Sequence, residues 1–138
     1  MRVYLDKPLF FEVSDMEELV LFEAEKKLME IIWREAPVES GRLVKLANDE
    51  INWNKSTTYT VLRKLIAKGF VKNEDTIVSV LIPKDKVLIS ESNQIVEESF
   101  SGSLPKFVAA FFGSKKTLSD EDADALMKLI KDNMEGGK

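Results

Sequence analysis

Asn54, Lys55, Ser56, Thr57, Tyr59, Thr60, Arg63 and Lys64 crowd hydroxyl, amide and cationic groups into one short stretch. Such groups suit phosphate oxygens and the edges of bases, and Thr and Tyr can also touch a thymine methyl. Helix propensity offers no reason to gather Ser, Thr and Tyr in a single helix, because β-branched and hydroxyl residues are mediocre helix formers. A local cost of this kind usually marks function. The competing reading is an ordinary solvated face whose hydroxyls cap their own helix. Lys55, Arg63, Lys64, Lys68 and Lys72 follow one another with no acid between them, although the formal net charge of the chain is −4. Where charge sits matters more than its sum: a basic face on an acidic protein is compatible with a polyanion and disfavours indiscriminate binding.

These side chains need a helix to present them. Asn54 is a good N-cap, Val61, Leu62, Leu65 and Ile66 recur at inward spacing, and Gly69 is suited to the left-handed stop. The spacing therefore predicts a helix over Lys55–Lys68. Upstream, Met16, Leu19, Val20, Ala24, Leu28, Ile31 and Ile32 form an apolar stripe before Pro37, on one helix opened by Ser14 and Glu17 or on two broken near Leu21 and Phe22. A second helix fits Ser40–Asn48 with Leu43, Leu46 and Ala47 inward, and its short link to the first suits a helix-turn-helix. Downstream, Phe70-Val71, a polar gap at Lys72–Asp75 and the β-branched run Thr76–Ile82 predict a hairpin ended by Pro83. Residues 1–13 predict an extended arm, with one candidate strand at Leu9–Val13.

The remainder predicts a helix over Asp85–Phe100, a second opened by Gly102-Ser103 with Pro105 and holding Leu104 to Phe112, and a last one opened by Ser119 with Asp122 three residues later. Leu104, Phe107, Val108, Phe111, Phe112, Leu126, Leu129 and Ile130 make these helices apolar on one side. Burying a Phe or Leu is worth roughly 1.5–3 kcal/mol, so that side needs a cover: a second copy of the chain, or the chain's own first part. Twofold pairing is the commonest symmetry.

With no Cys and no His, thiol nucleophiles, disulfides, Cys/His zinc sites and imidazole acid–base chemistry are excluded. There is no Gly-rich phosphate loop and no nucleophile elbow, so neither an enzyme, a metal nor a cofactor is expected. The longest apolar runs fall far short of a membrane span. The N-terminus lacks the features of a signal peptide, and the expected location is the cytoplasm.

The stretch Leu21–Trp33, with Glu23-Ala-Glu25, Met29 and Ile32-Trp33, followed by Trp53, Ser56-Thr57, Thr60-Val-Leu62, Leu65 and Lys68-Gly-Phe-Val71, resembles the penicillinase-repressor (BlaI/MecI/CopY) family. The likeness continues through Phe100–Ser103, Leu104–Phe112 and Leu118–Ile130, covering about residues 21–134. It implies a winged helix-turn-helix and a C-terminal helical dimerisation segment, a mainly α fold with a small β hairpin. It also implies a homodimer that represses transcription from a palindromic double-stranded DNA operator. Ser56, Thr57, Tyr59 and Thr60 would then face bases, while Lys55, Arg63 and Lys64 serve phosphates or guanines. In β-lactam-responsive members a membrane-sensor metalloprotease system leads to cleavage in the dimerisation segment, and the corresponding stretch here is Ala110-Phe111-Phe112. The Asn-Phe pair of those repressors is missing, and the absence of Cys excludes the metal hook of copper-responsive members. The expected layout is an arm and helix start over 1–20, a winged-helix DNA-binding domain over 21–83 and a dimerisation segment over 84–138. Two rivals stand beside this reading: a winged helix that docks protein without reading DNA, and a carboxylate-dependent hydrolase with two acids converging in a pocket.

Overall fold

The computed structural model describes residues 19–114 and 116–135. The capping pair Ser14 and Glu17, the strand at Leu9–Val13 and Met16 of the first stripe lie outside the described residues. What is described divides into two compact units, one ending at Ile95 and the other beginning at Val96.

In the first unit, α1 spans Glu23–Glu35. Phe22 precedes it in extended conformation, and its N–H donates to Glu25 Oε1 at 2.9 Å, half of a capping box. Of the two alternatives, a continuous helix through Leu21 and Phe22 is not what forms: within the described residues the helix begins at Glu23, and residues 19–22 lie outside it. This start also corrects the stripe: Val20 lies before the helix and is exposed, as is Ala24, while Met29 joins Leu28, Ile31 and Ile32 inside. Ala36 turns extended ahead of Pro37, as a residue preceding proline must. The chain then makes a two-residue strand, β1 (Val38–Glu39), and enters α2 (Ser40–Ile51), which buries Leu43 and Ala47.

Asn52 adopts a left-handed conformation (φ 60°) and ends α2, a position Asn tolerates better than most residues. α3 spans Lys55–Ala67 and buries Thr58, Val61, Leu62 and Leu65. Ile66, expected inside, is 37% exposed, because it lies at the margin of the inward arc that Thr58, Val61, Leu62 and Leu65 fill. The helix closes in a Schellman motif: Phe70 N–H donates to Leu65 O and Gly69 N–H to Ile66 O, with Gly69 at φ 83°.

β2 (Val71–Glu74) and β3 (Ile77–Val80) form the hairpin, and β1 adds to its other edge in the order β1-β3-β2, all antiparallel. The two-residue turn is Asp75-Thr76, both at positive φ as such turns require. Val38, Val71 and Val78 point into the core beside Phe70, which is fully buried. The hairpin is held to α1 because Trp33 Nε1–H donates to Ile82 O at 3.0 Å. α4 (Lys84–Ser99) follows. It is tied to α1 by Val87 in the core and by the pairs Lys26–Glu91 (2.7 Å) and Lys84–Glu30 (2.9 Å).

The second unit carries α5 (Leu104–Phe112) and α6 (Asp120–Asp132). Ser103 Oγ caps α5 by accepting from Lys106 N–H at 3.2 Å, and Ser119 Oγ caps α6 by accepting from Asp122 N–H at 3.1 Å. Neither helix buries a single residue.

Candidate nucleic-acid interface

α2, the turn Asn52–Asn54 and α3 form a helix-turn-helix. The turn is held by Trp53 N–H to Ala47 O (3.2 Å) and by the Asn48 amide to Trp53 O (3.1 Å). Asn54 Oδ1 accepts from Thr57 N–H at 2.8 Å, so this amide caps α3. The N–H groups of the first turn beside it are the positive end of the helix dipole and favour an anion.

The hydroxyl residues divide by position. Thr58 is fully buried and its Oγ1–H donates back to Asn54 O at 3.0 Å. Ser56, Thr57 and Thr60 are exposed. Ser56, Thr60 and Arg63 follow at intervals of four and three, which places them on one face, and Lys64 flanks it. Tyr59 is half-buried against the core, with its hydroxyl 3.4 Å from Ser40 Oγ on α2. It therefore stands at the edge of the reading face.

The cations divide as well. Lys68 is engaged with Glu25 at 2.6 Å, and Lys72 with Glu74 at 3.3 Å. Lys55, Arg63 and Lys64 are exposed and have no ion-pair partner among the described residues. Of this basic stretch, the charge left to meet a polyanion thus lies at Lys55 in the leading turn and at Arg63 and Lys64 beside Ser56 and Thr60. Away from this face, Arg34 is held more firmly protonated than usual by hydrogen bonds first to Glu50 and then to Glu35. It belongs to a surface cluster joining α1 and α2.

In the second unit Phe107, Val108, Phe111, Phe112, Leu118 and Leu126 line an apolar groove of about 490 Å³, whose one carboxylate is Asp122. Leu129 lines the same groove yet is 58% exposed, and Leu104 and Ile130, also expected on the apolar side, are 57% and 60% exposed. Ala110, Phe111 and Phe112 occupy the exposed last turn of α5. Among the described residues no group of three or more His, Cys, Asp or Glu could hold a metal ion, and no helix is long and apolar enough to cross a membrane.

Residue types alone did not separate Thr58 from Thr57 and Thr60, although its spacing to Val61, Leu62 and Leu65 carried the signal. The engagement of Lys68 by Glu25 spans 43 positions and left no local trace.

Three helices, an antiparallel three-stranded sheet and an exposed, cation-bearing third helix define a winged helix-turn-helix protein. Comparison with known sequences narrows the class. The family profile described as Penicillinase repressor matches residues 21–132, and the chain belongs to that family. The penicillinase repressor of Bacillus licheniformis is 21% identical over 115 residues, covering 80% of this chain and 89% of that protein.

Proposed function

We propose that this chain is a sequence-specific DNA-binding transcriptional repressor that acts as a homodimer on a palindromic operator. The observation that carries the reading is the exposed face of α3, where Ser56, Thr57 and Thr60 stand among Lys55, Arg63 and Lys64, cations left without ion-pair partners among the described residues. Asn54 orients the leading turn through its cap. Thr60 and Ser56 contact base edges, Tyr59 reaches the neighbouring base or sugar from the edge of the face, and Lys55, Arg63 and Lys64 contact phosphates or guanines. Residues 21–83 are the reader, and 84–138 join two readers through the apolar sides of α5 and α6.

The two reading helices then enter successive major grooves about one helical turn apart, or a multiple of it. The test is selection of duplexes from a randomised pool by the full chain. Enrichment of two inverted half-sites at such a spacing is expected; no enrichment, with binding that ignores salt, would overturn the reading. Inducer control by cleavage near Ala110–Phe112, through a membrane-sensor metalloprotease system, belongs to the same proposal and predicts loss of operator binding once α5 is cut.

A second reading, a protein-docking winged helix, draws support from Glu74 and Asp75 at the wing and from the net charge of −4. A stable protein complex without duplex binding would decide for it.

A further inference from the structure

Lys68 belongs to the basic stretch but is withheld from its free face, and the reason is Glu25. The Glu25 side chain is only 4% exposed, and its Oε1 accepts from both Phe22 N–H (2.9 Å) and Lys68 Nζ (2.6 Å). The same ammonium donates to Val20 O at 3.1 Å and lies 4.3 Å from the centre of the Phe22 ring. Carboxylate, carbonyl and aromatic face together occupy one cation at the C-terminal end of α3. The Glu25 bond to Phe22 N–H serves the capping box of α1, but the pairing with Lys68 is not needed to hold the two helices together, because well-packed apolar side chains of similar volume often do so at least as firmly as a buried ion pair.

Position supplies the second half of the argument. Lys68 follows Lys64 by four residues, so the two share one edge of α3. Released from Glu25, the long and flexible Lys68 stem would extend the row of cations one turn beyond Lys64, where, in the duplex-reading role given above, it could reach a further phosphate. Each phosphate neutralised strengthens binding to every sequence alike and adds nothing to discrimination.

We propose that Glu25 is a positioning residue that keeps Lys68 away from DNA and so holds down sequence-independent binding. The proposal rests on the duplex-reading role given above. Glu25 acts through Lys68 and touches no nucleic acid itself.

The test uses the full chain, a duplex that the unaltered protein enriches from a randomised pool, and the same duplex with its base order scrambled, each titrated across a range of KCl. Glu25→Met should steepen the log–log salt dependence by about 0.9 for each protomer bound. By the same relation it should tighten binding to the scrambled duplex on the order of eightfold per protomer near 0.1 M salt. Lys68→Met should leave the slope unaltered, since Lys68 contributes no phosphate contact, and Glu25→Met/Lys68→Met should return the slope to that of the unaltered chain. A purely structural pair would change melting temperature in these variants and leave the slopes equal.

The proposal is overturned if Lys68→Met alone makes the slope shallower, if Glu25→Met leaves it unchanged, or if the double variant keeps a steeper slope. Should Lys68→Met fail to fold with Glu25 left unpaired, the comparison of Glu25→Met with the double variant decides the matter. If the unaltered chain enriches no duplex and binds none, the duplex-reading role itself falls and takes this proposal with it. That pattern cannot be confused with the others.

Discussion

Leu129 on α6 offers the sharpest test of the pairing role. It is 58% exposed, and fully burying a Leu is worth roughly 1.5–3 kcal/mol. Covering the exposed part in a twofold interface is therefore worth about 1 kcal/mol per copy. Twofold pairing uses the same patch on both chains, so Leu129→Ala removes the contribution twice, about 2 kcal/mol in all, or roughly thirtyfold in the dissociation constant. Phe111, 48% exposed, has the larger ring and should cost at least as much. Leu129→Asp would bring a carboxylate from each copy into the apolar twofold interface, and it should abolish pairing over the accessible concentration range. Sedimentation equilibrium on the full chain measures these constants, with helical content by circular dichroism as the control for folding. Unchanged dissociation constants for both Leu129→Ala and Phe111→Ala would refute the reasoning, as would an unaltered chain that stays monomeric at every concentration.

The remaining predictions concern the reader. Thr60→Ala should relax preference at one base position at a cost of about 1–3 kcal/mol, whereas Lys64→Ala should weaken all sequences alike and make the salt dependence shallower by about 0.9 per protomer; binding across a panel of mutated duplexes separates the two. Asn54→Ala removes the cap on α3 and should lower stability by about 1 kcal/mol in urea unfolding. Phe70→Ala should cost about 3–5 kcal/mol in the same assay, because its ring is fully buried, while Ile66→Ala, partly exposed, should cost only about 1 kcal/mol.

Much of this architecture was legible where a local signal coincides with a physical necessity. Gly69 announced the end of α3 because a left-handed residue is needed there, and Asn54 announced its start because the first N–H groups need an acceptor. Ser103 and Ser119 did the same for α5 and α6. What escaped was set by tertiary structure. β1 is two residues long and exists because Val38 and Glu39 meet Val78 and Ile77, partners some forty positions away that no short-range pattern specifies. Val20 and Ile66 fit an apolar spacing, yet the helix begins after one and the other lies at the margin of the buried arc. The candidate reading face was visible as a cluster of residue types. Which of its cations remain free was not, because Glu25 and Glu74 do the sorting.

The acidic total and the small reading face become consistent once two copies act together. A single face with Lys55, Arg63 and Lys64 can neutralise few phosphates, so one reader alone should hold DNA weakly. Joining two readers turns the second contact into an intramolecular event at an effective concentration on the order of millimolar. Affinity then depends on the link between the readers as much as on the faces themselves. In the proposed reading that link runs through α5 and α6, whose apolar sides the second unit leaves uncovered. A cut within Ala110–Phe112 would sever α5 without touching α3. Each reader would keep its chemistry and lose its partner, and operator release would follow with the reading face intact.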